Sequence, residues 1–247
     1  MNENKQENRI ALLEMQVSEF WSGDLGLTLV SIALVILIFV IFPMREAGMT
    51  GRAFLDVVMV TLMISGALVV KQSRIVAAGV VALVVLAACM LWVSRLYPTL
   101  FLRELSSVLS ILVMLVYVRI VLLVMFRQGH VTWSRIQGGV CAYLMLGLAW
   151  ASAYDLVEQV HSGAFHFLSS PSNFAELTAK LIYFSFATLT TVGYGDVLPL
   201  SPYARSLAIG EAIVGQLFPA ILIGALVAMA MRAGASSKPV AAPVSAD

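Results

Sequence analysis

Residues 190 to 196 read Thr-Thr-Val-Gly-Tyr-Gly-Asp and lie between a short apolar stretch and a long one. A cation leaving water needs several oxygen dipoles in exchange, enough to replace its hydration and weak enough to release it. Backbone carbonyls supply them when several in a row face one axis. Successive carbonyls line up only if some residues take unusual dihedrals, and Gly193 and Gly195 accept positive φ at little steric cost. Thr191 adds a hydroxyl oxygen below them. In a water-soluble protein the same string would be a tight turn. Here it follows a helix too short to span a bilayer and precedes one long enough to do so.

The elements around this stretch are those of a membrane protein. The chain has 247 residues, of which 60% are hydrophobic and only 12% charged, and its mean hydropathy is +0.94. A water-soluble domain of this size does not carry such a composition. A net charge of +1 offers nucleic acid no footprint, and no basic run interleaves with aromatic residues. Cys89 and Cys141 fall inside apolar runs and read as small packing residues. No nucleophile–base constellation, metal-ligand cluster or phosphate loop is present, so no enzymatic activity is expected. The polar start is not followed by a small-residue cleavage pattern, so the first apolar run is expected to remain in the protein.

Along the chain, residues 10–21 place Ile10, Leu13, Val17, Phe20 and Trp21 on one helical face, which makes 1–24 an N-terminal amphipathic segment. Apolar runs at 25–42, 53–70, 75–93 and 105–126 each approach the roughly 20 residues a bilayer requires. They form a four-helix transmembrane domain, 25–135. A polar, glycine-bearing linker at 127–139 leads to a fifth span at 140–160 and a loop with His161, His166 and Pro171. Asn173 caps the next helix, and Glu176 three residues later completes a capping box. That helix, 174–189, is only about 24 Å long and is expected to enter the membrane without crossing it. Ser201 as N-cap and Pro202 at the first helical position open a last span reaching to about residue 232. The fold class is therefore an all-α membrane protein with six transmembrane helices, a re-entrant helix and a loop. Residues 136–232 form its second domain, and 233–247 a disordered Ala-, Ser- and Pro-rich tail.

The string at 190–196 resembles the selectivity filter of potassium channels, and the likeness runs from Tyr183 to about Met231, taking in Arg205 and Gly215. The resemblance implies K⁺ held by the backbone carbonyls of Thr191, Val192, Gly193 and Tyr194, with Thr191 also offering its hydroxyl. Gly195 and Asp196 complete the filter toward the outer mouth, and the Tyr194 ring points outward as a brace. Thr190, Tyr183, Phe184 and Glu211 support the pore. Gly215 stands where the family's inner helix bends to open a gate, and Pro219 one turn later would strengthen that bend. Gly215 also reads as a small residue for close helix packing. A ring of carbonyls needs four strands, so the resemblance implies a cyclic homotetramer in contact with lipid. No cofactor is implied beyond K⁺ as the permeant ion, and neither nucleic acid nor a small-molecule substrate is expected as a partner.

This chain departs from the family's pattern in two places. Many relatives carry tryptophans where Tyr183 and Phe184 stand, which leaves Phe184 nothing to donate to Tyr194. Some carry a glutamate where Ala187 stands. The fourth span also lacks arginines at every third position. Moving one charge through 100 mV yields only about 2.3 kcal/mol, so Arg119 alone makes a weak sensor, and pairing with Asp56 across the bundle explains both residues. Both termini are expected in the cytoplasm, below a bacterial inner membrane, which leaves a modest excess of Lys and Arg inside. The function expected is a K⁺-selective channel. Its rivals are a coupled K⁺ transporter, which would repeat the filter within one chain, and a non-conducting sensor or scaffold that keeps the pore fold.

Overall fold

The computed structural model describes residues 31–46, 74–97, 99–125 and 133–236. The expected amphipathic segment, the span at 53–70 with Asp56, and the end of the tail lie outside them. An apolar helical stretch begins at residue 31, widens into a π-turn over Leu37–Ile41 and ends in α1, Phe42–Glu46. Four long helices follow: α2, Arg74–Leu96; α3, Leu100–Met125; α4, Trp133–Val160; and, after a shorter α5, Phe174–Leu189, the last helix α6, Pro202–Ser236. Among the described residues, three segments are long and apolar enough to cross a membrane: Leu100–Leu123, Arg135–Val160 and Pro202–Met231.

The helices pack in chain order, α2 on α3, α3 on α4, α4 on α5 and α5 on α6, while α1 reaches across to touch α5. One core joins the first helical stretch to the middle of the bundle through Leu34, Leu37, Val84, Val113, Tyr117, Leu148 and Ile182. A second, smaller core lies under the loop end and is aromatic. There Tyr154 meets Phe165 at 5.5 Å and Phe184 at 5.0 Å, both edge-on.

The structure differs from the sequence expectations at several points. The chain is not wholly helical: β1, Phe165–Phe167, pairs antiparallel with β2, Val197–Pro199, with His166 opposite Leu198. Three-residue strands leave too little alternation to read from sequence. The expected linker at 127–139 is helical from Trp133 onward, so the domain boundary placed after residue 135 falls inside α4. Gly138 and Gly139 lie inside that helix, and at Gly139 a neighbour takes the space a side chain would need. A Cβ on Gly139 would stand 3.0 Å or less from two methyl carbons of Leu222 in α6. The last helix also continues past residue 232 to Ser236. α6 opens as Ser201 and Pro202 predict, with Ser201 Oγ accepting from the Ala204 amide at 3.1 Å.

Candidate functional site

The site is built on α5, and both of its ends are tied down. At the start, Asn173 Oδ1 accepts from the Glu176 amide at 3.0 Å, a side-chain N-cap. Glu176 also reaches back to the residue before Asn173. Its Oε2 accepts from the Ser172 hydroxyl at 2.6 Å and from the Ser172 amide at 2.7 Å. Lys180, one turn along, pairs with Glu176 at 2.9 Å. The Ser172 hydroxyl, then Lys180, then the Ser172 amide hold the Glu176 carboxyl down from an ordinary 4.5 to about 2. Lys180 is itself buried, and its ammonium donates to the Ser169 hydroxyl and carbonyl at 2.8 and 2.5 Å. The loop before α5 is thereby held to the helix.

The far end of α5 turns directly into the 190–196 strand. The Thr191 amide donates to Thr188 O at 2.9 Å and the Val192 amide to Ala187 O at 2.9 Å. This is the Schellman pattern, in which the residue past the cap turns left-handed. That residue is Thr191, at φ 61°. Sequence alone points to the glycines, and they follow suit, Gly193 at φ 57° and Gly195 at φ 80°. A β-branched residue at positive φ costs on the order of 1–2 kcal/mol, and here the helix cap holds it there. Residues 190 to 195 are all exposed in the single chain. The Tyr194 ring, 72% exposed, stacks on Tyr183 with centroids 6.2 Å apart and planes 11° from parallel. Beyond it, Asp196 O accepts from the Leu168 amide at 3.0 Å, where the strand runs into β2 and its pairing with β1. Arg205 Nε donates to Pro199 O at 3.1 Å and holds that turn to the head of α6.

Behind the strand, α6 lies against α5 at two levels, four residues apart on both helices. At the lower level Gly215 touches the backbone of Leu189. A Cβ there would stand 2.7 Å from the Leu189 carbonyl carbon and closer still to its oxygen. The same carbonyl accepts from the Tyr143 hydroxyl of α4 at 3.1 Å. At the upper level Glu211, wholly buried, meets Ser185. Its Oε1 is 2.5 Å from Ser185 Oγ, and its Oε2 accepts from the Tyr154 hydroxyl at 2.5 Å. Ser185 Oγ is also 2.7 Å from Gly147 O. Matching i, i+4 contacts on both partners mean that α5 and α6 run in the same direction at this seam.

Of the residues expected to support the strand, Tyr183 stacks on Tyr194, while Glu211 and Gly215 of α6 meet Ser185 and Leu189 of α5. Phe184 is buried in the aromatic core and faces Tyr154 and Phe165. Pro219 lies inside α6, which continues through it. Arg119 is exposed on α3. His166 is an exposed position of β1, and His161 stacks flat on Tyr203 at 5.0 Å. Sequence reasoning missed Tyr143, Tyr154, Lys180 and Ser185. Lys180 carries a readable signal, its i, i+4 spacing from Glu176, and so does Ser185, a small hydroxyl set between Phe184 and Phe186. Nothing in the sequence distinguishes the two tyrosines from the rest of α4.

The site is thus a short capped helix, a glycine-bearing strand at its end and two long helices behind it. Residues 142–232 match the family model described as Ion channel. Among curated proteins, the chain is similar to protein LctB of Bacillus caldotenax, 38% identical over 85 residues, or 33% of this chain and 61% of that one. It is also similar to protein LctB of Geobacillus stearothermophilus, 35% identical over 80 residues, or 31% of this chain and 58% of that one. Two pore potassium channel c of Oryza sativa subsp. japonica is 31% identical over 86 residues, 35% of this chain and 17% of that one. The chain thus spans about three fifths of the length of the LctB relatives. No solved structure matches it. The chain is thus similar to ion channels over residues 142–232 and, at 31% identity, to a potassium channel.

Proposed function

We propose that the protein is a potassium-selective channel in which four copies bring their 190–196 strands around one axis and pass K⁺ down its gradient. The observation that carries this reading is the strand itself. It leaves the end of a 16-residue helix, holds Gly193 and Gly195 at positive φ, and lies exposed along 190–195 in the single chain. The carbonyls of Thr191, Val192, Gly193 and Tyr194 replace the ion's water, with the Thr191 hydroxyl at the inner end. At about 24 Å, α5 is shorter than the roughly 30 Å hydrocarbon core, so it enters and ends within the membrane, between α4 and α6. Its carbonyl end then presents partial negative charge to a cation below the strand.

The tetramer is favoured by α6. Ile209, Ile213, Leu217 and Ile221 form an i, i+4 row with no cover in the single chain, and only 6% of the helix's most apolar window is buried. Neighbouring copies and lipid would cover it. The orientation follows from the strand's outer end, Asp196, facing outside the cell, with both termini in the cytoplasm.

Purified protein in planar bilayers under a tenfold K⁺ gradient, with Na⁺ balancing the charge, should show unitary currents that reverse close to 59 mV, about the value expected for one charge per ion. Reversal near zero would mean an unselective pore. Silence would favour a scaffold that keeps the pore fold.

A further inference from the structure

We propose that Glu211 is held as a neutral carboxylic acid and serves as a positioning residue, a proton-bearing tie that fixes α6 to the back of α5. The inference rests on the channel reading for its purpose and on a count of hydrogens for its chemistry. Three short contacts meet at this point: Tyr154 Oη with Glu211 Oε2 at 2.5 Å, Ser185 Oγ with Glu211 Oε1 at 2.5 Å, and Ser185 Oγ with Gly147 O at 2.7 Å. Each needs one hydrogen. Gly147 O is a carbonyl and brings none, while Tyr154 and Ser185 bring one apiece.

With an ionised Glu211, the single Ser185 proton would have to serve two acceptors, and one oxygen pair would face lone pair to lone pair. A proton on Glu211 resolves the conflict. Tyr154 donates to Oε2, the acid donates from Oε1 to Ser185 Oγ, and Ser185 passes its own hydrogen to Gly147 O. Every short contact is then a hydrogen bond. The surroundings agree: Glu211 is 0% exposed, and among the described residues no Lys or Arg forms an ion pair with it. A buried charge without a partner is costly, whereas a buried acid with its hydrogen bonds complete is not.

The position of this tie gives it a purpose. Glu211 and Gly215 are one turn apart, as are Ser185 and Leu189, and Leu189 is the last residue of α5 before the 190–196 strand. The Glu211–Ser185 contact therefore sets the register in which α6 supports the base of that strand, while Tyr154 carries the tie on to α4.

Glutamine offers the same shape with a neutral oxygen to accept from Tyr154 and an N–H to donate to Ser185. Glu211→Gln should therefore keep the melting temperature and the K⁺ over Na⁺ permeability ratio of the native protein. Glu211→Ala leaves the Tyr154 hydroxyl without its acceptor and Ser185 Oγ without its donor, and should lose selective flux by about tenfold or more. Infrared spectra of the native protein at neutral pH should show a protonated-carboxyl C=O band that is missing from Glu211→Gln. The inference is overturned if no such band exists, or if the Gln variant is as impaired as the Ala variant. If Glu211→Ala does not assemble, the band and the Gln variant still decide. Silence of every variant in bilayers, native included, would count against the channel reading and leave the infrared test of the tie intact.

Discussion

Replacing Gly215 with Ala separates two readings of that glycine by the sign of one measurement. The added methyl would meet the Leu189 backbone, and a carbonyl cannot rotate aside as a flexible side chain can. To move from 2.7 Å to an ordinary 3.4 Å contact with the Leu189 carbonyl carbon, α6 must retreat by about 0.7 Å, and further to clear the oxygen. Overpacking of this kind costs about 1–3 kcal/mol. The shift also strains the Tyr143 bond to the same carbonyl, worth about 1 kcal/mol. Against this, Ala stabilises a helix interior by about 1 kcal/mol over Gly. The balance is a loss of about 1–3 kcal/mol, a fall of several degrees in melting temperature. Thermal unfolding of the detergent-solubilised protein measures it, with K⁺ flux in liposomes recorded in parallel. If Gly215 acted only as a hinge, the same change would stiffen α6 and raise the melting temperature while altering channel opening. A variant that melts at or above the native temperature would refute the packing argument.

Four further outcomes are expected. Gly193→Ala meets no steric neighbour, yet a side chain at φ 57° is strained, so selective K⁺ flux should vanish while assembly survives. Tyr143→Phe removes one hydroxyl from the Leu189 carbonyl and should cost about 0.5–1.5 kcal/mol in thermal unfolding. Ser201→Ala removes the N-cap of α6 and should cost about 1 kcal/mol by the same assay. Because the folded Glu176 carboxyl titrates at about 2 instead of an ordinary 4.5, its contribution to stability is complete above pH 4.5 and is lost as pH falls toward 2. The protection factors of Ser172 and its neighbours against hydrogen exchange should therefore fall over that window in the native protein, and Glu176→Gln should remove the dependence.

The sequence and the structure agree best where a residue type has one physical use. Glycine at 193 and 195 announces positive φ, and Ser201-Pro202 announces a helix start. The span of α5 follows from Asn173 at one end and the glycine-bearing strand at the other. Agreement ends where a partner decides the matter. Gly138 and Gly139 read as a linker, because nothing local reveals that Leu222, far along the chain, needs the room that Gly139 leaves. Thr191 does not announce a left-handed turn, since its conformation is imposed by the bonds to Ala187 and Thr188. Glu211 stands out as an ionisable residue in an apolar helix, but its partners on two other helices are visible only once those helices are packed. The β1–β2 pairing is too short to leave a pattern.

That pairing has a consequence for how the molecule can be altered. The chain leaves Phe167 for the loop and α5, then returns through Asp196 to lie beside the place where it left. The excursion between them is a closed cassette with both of its attachment points on one ribbon. Transplanting it onto another pair of helices means matching that gap and also the seams where α5 packs on α4 and α6.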